Sequence, residues 1–234
     1  MVIKVALIGN PNVGKTVIFN NLTGAKQHVG NWPGVTVEKK QGKCIYNGVE
    51  MQIVDLPGTY SLTARSIDEV VARDFIMNEK PDVVVDIVDA TNLERNLYLT
   101  VLLLELGANV VIALSMWDMV EVSGAKIDIK LLSERLGVPI VPTAGPLNKG
   151  MEELKAEIVK SAKKKAPSTQ KIIRYKPELE DKISKIIEIL QPQQLPWCNY
   201  PLRWVAIKAL EGDKVVLNNL KKANMYDKVM AITK

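Results

Sequence analysis

Hydrophobic residues recur along this chain at two different spacings. Short runs rich in valine and isoleucine, at 2–8, 38–46, 49–55, 82–88, 109–114 and 138–141, are bounded by turn-forming residues and predict strands. Between most of them apolar positions return every three or four residues, as on one face of a helix. Strand and helix in alternation predict an α/β fold, a mostly parallel six-stranded sheet covered by helices. One junction departs from the pattern. In "GKCIYNGVEMQIVDL" only Asn47-Gly48 separates two strand runs, a two-residue hairpin that makes one edge strand antiparallel. From about Lys171 onward leucine and isoleucine at helical spacing replace the valine-rich runs, as in "ELEDKISKIIEIL" and "LRWVAIKALEGD", predicting a small all-helical domain. The stretch "KKKAPSTQK" between the two patterns reads as a linker, so the domains are expected at 1–165 and 166–234. Three prolines in "QPQQLPWCNYP" require a loop within the second.

Hydropathy raises one alternative. "LYLTVLLLELGANVVIALSMW" (97–117) is apolar over about the length of a membrane span, but Glu105, Gly107 and Asn109 sit in its middle. A helix ending at Gly107, a turn and a buried strand fit better, and the chain is expected to be soluble. The first apolar run is too short for a signal peptide and leads straight into a glycine loop. The composition, 47% hydrophobic and 24% charged over 234 residues, is that of an ordinary globular protein. The net charge of +5 leaves nucleic acid, an anionic membrane or mere solubility open. Cys44 and Cys198 lie far apart without metal-ligand spacing, which suits a reducing compartment.

Chemistry enters with "GNPNVGKT", which fits G-x-x-x-x-G-K-[ST] between a strand and a helix. Gly9 and Gly14 let the backbone of Asn10, Pro11, Asn12 and Val13 curl so that main-chain N–H groups face a β-phosphate, aided by the helix N-terminus. Lys15 would reach the β- and γ-phosphates, and the Thr16 hydroxyl would ligate Mg²⁺. "DLPG" closes the third strand: Asp55 can hold Mg²⁺ through water, and Gly58 can offer its N–H to the γ-phosphate. Between these lies "GNWPGVTVE", in which Thr36 could ligate Mg²⁺ only while a γ-phosphate is present, and Trp32 is expected in an exposed segment. Lys15, Thr36 and Gly58 are therefore the residues expected to support hydrolysis. "SMWD" follows the fifth strand where N-K-x-D would read guanine. Asp118 can accept both guanine N1–H and N2–H₂, whereas Ser115 replaces an asparagine with a shorter hydroxyl. In "VPTAG", Thr143 and Ala144 are expected to line the base, with an N–H near Ala144 meeting guanine O6.

Together, "GNPNVGK", "GNWPGVTVE", "DLPGTYSL", "VDATNLERNLYL" and "WVAIKALEGD" resemble, in order, the cytoplasmic N-terminal region of the ferrous iron transport protein B family. The resemblance covers nearly the whole chain. It implies a Ras-like P-loop GTPase domain, then a helical domain resembling a nucleotide-dissociation inhibitor, then a C-terminal transmembrane iron-permease domain outside this sequence. It further implies GTP and GDP as ligands, Mg²⁺, the cytoplasmic face of the cell membrane, small regulatory Feo proteins as partners, and a homo-oligomer. Asn12 matches the asparagine that helps coordinate K⁺ in potassium-activated relatives, and Val17 stands where threonine is common, its N–H still able to meet the α-phosphate.

Thr59 follows "DLPG" where a water-orienting glutamine would be needed. This predicts slow intrinsic hydrolysis, between the ~10⁻⁴–10⁻³ s⁻¹ of an unassisted Ras site and a K⁺-assisted rate some tens of times higher. The chain offers no iron-ligand cluster: His28 is the sole histidine and reads as a surface residue, and Asp86 and Asp89 read as solvent-facing or loop-end residues. Lys160 and Lys163 to Lys165 form a solvated helix end or a contact with anionic lipid. Two other functions remain open, an RNA- or ribosome-associated GTPase and an interaction module whose nucleotide site has decayed. The mixed Glu and Lys of the tail disfavour nucleic acid.

Overall fold

The computed structural model describes residues 2–24, 27–63, 66–164, 174–193, 195 and 199–233. The inferred domain boundary, most of the linker and Cys198 lie outside them. The chain opens with β1 (Val2–Gly9), α1 (Lys15–Thr23), β2 (Gln27–Asn31), β3 (Glu38–Tyr46), β4 (Val49–Asp55) and α2 (Ile67–Glu79). It continues with β5 (Val83–Asp89), α3 (Leu93–Glu105), β6 (Val110–Ser115), α4 (Trp117–Ser123), α5 (Ile129–Leu136), β7 (Ile140–Pro142) and α6 (Met151–Lys163). Four helices follow, α7 (Pro177–Leu190), α8 (Leu202–Leu210), α9 (Lys214–Lys222) and α10 (Tyr226–Thr233).

The sheet order is β2-β3-β4-β1-β5-β6-β7. From β4 to β7 every pairing is parallel, while β2–β3 and β3–β4 are antiparallel. The sheet thus has seven strands rather than the expected six. The seventh, β2, has the sequence Gln-His-Val-Gly-Asn, is exposed throughout, and carries no apolar alternation to reveal it. It exists because the open edge of β3 offers its main-chain hydrogen-bonding groups, and it takes over the edge position expected of β3. The apolar stretch at 97–117 resolves as expected, with α3 ending at Glu105, Gly107 at φ 77° and β6 beginning at Val110.

Alternate residues of the strands feed two cores. Ile3, Val5, Leu7, Ile53, Val85 and Ile87 pack with Ile18 and Phe19 of α1 and with Leu154 and Ile158 of α6. The other face, with Ala6, Ile8, Val54 and Val84, packs on α2 and α3, and that core continues without a break into Ile183, Ile186, Trp204 and Leu220 of the helical domain. Two ionic joints lie where they meet. Arg203 of α8 donates to Glu105 of α3 at 3.1 Å and to both carboxylate oxygens of Glu180 of α7 at 2.8 Å each. Those hydrogen bonds hold the Glu180 carboxyl down at about 2, whereas burial raises that of Glu105 against the pull of Arg203. Arg73 of α2, only 2% exposed, lies 3.6 Å from Asp213 and faces the rings of Tyr200 and Trp204. Asp213 also caps α9 by accepting from the N–H groups of Val215 and Val216, both at 3.0 Å.

Candidate nucleotide site

The parallel strands β1, β5 and β6 all end on one side of the sheet, the side on which open α/β sheets bind their ligands. Gly9 ends β1, and a side chain there would put Cβ 2.6 Å from the Ile87 carbonyl oxygen, so only glycine fits. The loop then turns through Asn12 at φ 67° and Gly14 at φ 83°, both in the left-handed region. Such left-handed turns suit a nest of amides, and α1 starts directly after it at Lys15. Val13 is buried at 3% exposure and anchors the loop, while Pro11, Asn12 and Thr16 are exposed along its rim. Asn10, also 3% exposed, bonds through Nδ2 to the Arg95 carbonyl at 3.5 Å and leaves Oδ1 without a hydrogen-bond partner.

Asp55 ends β4, and its carboxylate pairs with Lys15 Nζ in a close contact. Burial raises the Asp55 carboxyl above its usual range, with Lys15 pulling the other way. The Leu56 N–H donates to the Leu7 carbonyl at 2.9 Å and the Thr59 N–H to that of Gly9 at 3.1 Å, laying this segment along the phosphate loop. A Cβ on Gly58 would stand 3.5 Å from Pro11 Cα, so the two loops touch there. The Thr59 hydroxyl donates to the Ser61 carbonyl at 2.8 Å and is thereby committed to its own turn.

The segment expected to read the base begins at Ser115, the last residue of β6. Ser115, 3% exposed, has Oγ 2.8 Å from the Val13 carbonyl and 3.1 Å from that of Val88. The shorter side chain therefore still ties the loops together. Met116, at φ 55°, turns the chain into α4, and Asp118 in its first turn keeps Oδ1 buried without a hydrogen-bond partner. Thr143 and Ala144 are both 1% exposed, and Thr143 Oγ1 is likewise without a partner. The Ala144 N–H donates to the Lys149 carbonyl at 3.1 Å within the 143–150 loop, which leaves any open donor in this stretch to another residue than Ala144 itself. Val17, 38% exposed, fixes the same loop from outside: a Cβ on Gly145 would meet its Cγ1 at 2.9 Å.

Two more expectations change, those for Trp32 and Asp86. Trp32 is 8% exposed, not surface-lying, with its ring edge-on to Phe75 at 5.3 Å and Lys39 Nζ 4.8 Å from its centroid. Thr36 stands exposed in the turn joining β2 to β3. Asp86 is neither solvent-facing nor at a loop end. It is 1% exposed, accepts from the Thr100 hydroxyl, and burial pushes its carboxyl up to about 7. His28 is exposed on β2, as expected. A connection that the motifs did not reveal is Arg95, whose carbonyl accepts from Asn10 and whose guanidinium lies 4.4 Å from the Tyr60 ring centroid. Only its place inside "VDATNLERN" hinted at it.

A family profile described as ferrous iron transport protein B matches residues 3–158, and one described as the FeoB cytosolic helical domain matches 175–234. The Fe(2+) transporter FeoB of Methanocaldococcus jannaschii is 50% identical over 98% of this chain and 34% of its own length. An Fe(2+) transport protein A/Fe(2+) transporter FeoB fusion protein of Porphyromonas gingivalis is 45% identical over 91% of this chain and 26% of its own length. The chain thus spans about a third and about a quarter of these two curated relatives. Among solved structures, the cytosolic domain of the T. maritima FeoB iron transporter in its GMPPNP form superposes with a TM-score of 0.88 at 39% identity. That match covers 98% of this chain and 92% of the other.

Proposed function

The chain belongs to the ferrous iron transport protein B family, and on that premise we propose that it binds GTP and GDP and hydrolyses GTP slowly. One observation carries the base assignment: Asp118 holds a buried carboxylate oxygen without a partner, beside a loop already curled for phosphate. A carboxylate satisfies the two donors on the guanine edge, and adenine has no matching pair. The Gly145 N–H is a better candidate for guanine O6 than those of Thr143 and Ala144, which donate to the Leu114 and Lys149 carbonyls. The GMPPNP named for the T. maritima relative supports the same ligand class.

Phosphoryl transfer asks the protein for positioning and charge neutralisation. Lys15 stands ready for this, since an arriving phosphate would compete with Asp55 for its ammonium. The chemistry of the donor set fits a hard dication: Asp55, Thr16 and Thr36 would hold Mg²⁺, which neutralises charge on the phosphates when bound. Asn12, exposed on the rim, would offer its amide oxygen to K⁺. The Gly58 N–H would meet the γ-phosphate, and the Val17 N–H the α-phosphate. The orientation of Thr59 toward Ser61 supports the reading that no side chain here positions the attacking water, so Thr59→Ala should retain GTP turnover.

In the longer relatives the same state change would regulate Fe(II) passage through a membrane domain, with this portion at the cytoplasmic face. Among the described residues no helix is long and apolar enough to cross a membrane. The fusion named for the P. gingivalis relative supports a small Feo protein as a partner. Titration calorimetry with GDP, GMPPNP and ATP, in Mg²⁺ with and without K⁺, tests the reading. Guanine nucleotides should bind and ATP should not. No guanine-nucleotide binding in Mg²⁺ would leave a decayed module, and ATP preference would overturn the role given to Asp118.

A further inference from the structure

The stretch expected to face the base offers three main-chain donors, and two are spent. The Thr143 N–H donates to the Leu114 carbonyl at 2.8 Å and the Ala144 N–H to that of Lys149 at 3.1 Å. Gly145 is buried, and among the described residues its N–H meets no acceptor. Main-chain donors of buried residues are nearly always paired, so this one suits a ligand oxygen. A donor selects for that oxygen only while its peptide is held at a fixed angle, because a hydrogen bond weakens steeply off line.

The hold on Gly145 comes from α1. Asn21 Nδ2 donates to the Gly145 carbonyl at 2.8 Å, joining positions 124 residues apart. Val17, one turn earlier on the same helix face, closes the space beside it. A Cβ on Gly145 would stand 2.9 Å from Val17 Cγ1 and 3.9 Å from Ile18 Cγ1, so the glycine is seated directly on the helix. The Asn148 N–H also reaches this carbonyl, at 3.0 Å, but that bond lies inside the loop's own turn. Among the described residues Asn21 is therefore the donor that ties Gly145 to another element. Because α1 begins at Lys15 and Asn21 lies about 9 Å further along its axis, one helix carries both the phosphate-facing ammonium and the anchor of the base-facing loop.

We propose that Asn21 is a positioning residue for guanine recognition: its amide fixes Gly145 so that the Gly145 N–H donates to guanine O6, with Val17 as the stop beside it. This rests on the nucleotide reading above and names what sets one of its base contacts. Adenine carries an amino group in place of O6, which a fixed donor rejects, so Asn21 adds to the selection made by Asp118.

The test is GDP titrated in Mg²⁺ into ¹⁵N-labelled wild type, Asn21→Ala and Asn21→Asp, with calorimetry on the same samples. In wild type the Gly145 amide proton should move downfield at saturation as it gains an acceptor, together with the amides of Gly14 and Lys15. Asn21→Ala leaves the Gly145 carbonyl its Asn148 donor, so the fold should hold while GDP binds about tenfold more weakly, the equivalent of one hydrogen bond. Its signature is local: at saturation the Gly145 shift should collapse while those of Gly14 and Lys15 persist. Asn21→Asp keeps the size of the side chain without the donor and should weaken GDP at least as much. Unchanged affinity in both variants, or an equal loss of shift at all three amides, overturns the positioning role. A Gly145 amide that stays fixed in wild type while Gly14 and Lys15 move overturns the O6 contact and leaves nucleotide binding standing. No response at any of the three removes the nucleotide reading and this inference with it.

Discussion

The phosphate loop and the turn joining β2 to β3 are both glycine-containing connections on one sheet, yet they are held in opposite ways. The first is fixed from several sides: Gly9 against Ile87, Thr59 N–H on the Gly9 carbonyl, Ser115 on the Val13 carbonyl, and Val13 itself buried. The second has two main-chain bonds of its own, Trp32 N–H to Val37 at 2.9 Å and Val35 N–H to Trp32 at 3.3 Å, and one large side chain driven into the protein. Glycine content therefore says little about stiffness. What decides it is how many separate elements hold the loop, and by that measure the phosphate loop is preformed while the turn hangs on Trp32.

The largest expected effect tests whether the well-held end of the sheet is truly closed to water. Asp86 is buried there with a carboxyl raised from 3.8 to about 7. Below pH 3.8 the folded and unfolded chains are both protonated and the raised value has no effect. As pH rises the unfolded chain ionises first, so stability falls until about pH 7 and then levels, by on the order of 4 kcal/mol. Thermal melts should record this decline between pH 4 and pH 7, and Asp86→Asn should remove most of it. A flat wild-type profile would mean that water reaches this carboxylate.

Next in size is Gly9→Val, which drives Cβ against the Ile87 carbonyl. It should cost about 3 kcal/mol in a melt and abolish GDP binding in calorimetry. Trp32→Ala should cost less, roughly 2 kcal/mol, because the turn can relax where a core cannot. Its signature is regional. Hydrogen exchange at the Trp32 and Val35 amides should accelerate while those of Leu56 and Thr59 hold, and GDP affinity should scarcely change. If all four amides accelerate together, the two connections are one unit and the contrast fails. The smallest effect is Lys39→Ala, which removes a cation over the indole face worth about 0.5–1 kcal/mol and should raise exchange only at the two turn amides.

Legibility in the sequence follows the same division. The phosphate loop, Asp55, the Asn47-Gly48 hairpin and the break at Gly107 were readable because local sequence alone fixes them, through glycine conformations or an apolar run of defined length. β2 was not readable, since its residues carry no buried face and its conformation comes from β3. Trp32 sits among glycine, proline and asparagine, and its burial depends on Phe75, 43 positions further along. Asp86 misled for a related reason: a carboxylate in a strand suggests solvent until the Thr100 hydroxyl, on the helix packed above, is known to meet it. Ser115 looked like a loss for base contact, and only the fold revealed that its hydroxyl still reaches the loop carbonyls.

The seat of Arg73 carries a consequence for where the molecule can be cut. Its aromatic neighbours Tyr200 and Trp204 and its buried counter-ion Asp213 all come from beyond the linker, although the arginine itself belongs to α2. Severing the chain near residue 165 would strand a guanidinium beside an unroofed apolar hollow and strip the N-cap acid of α9 of its counter-charge. The two blocks of sequence are therefore joined through a shared core as well as through the chain.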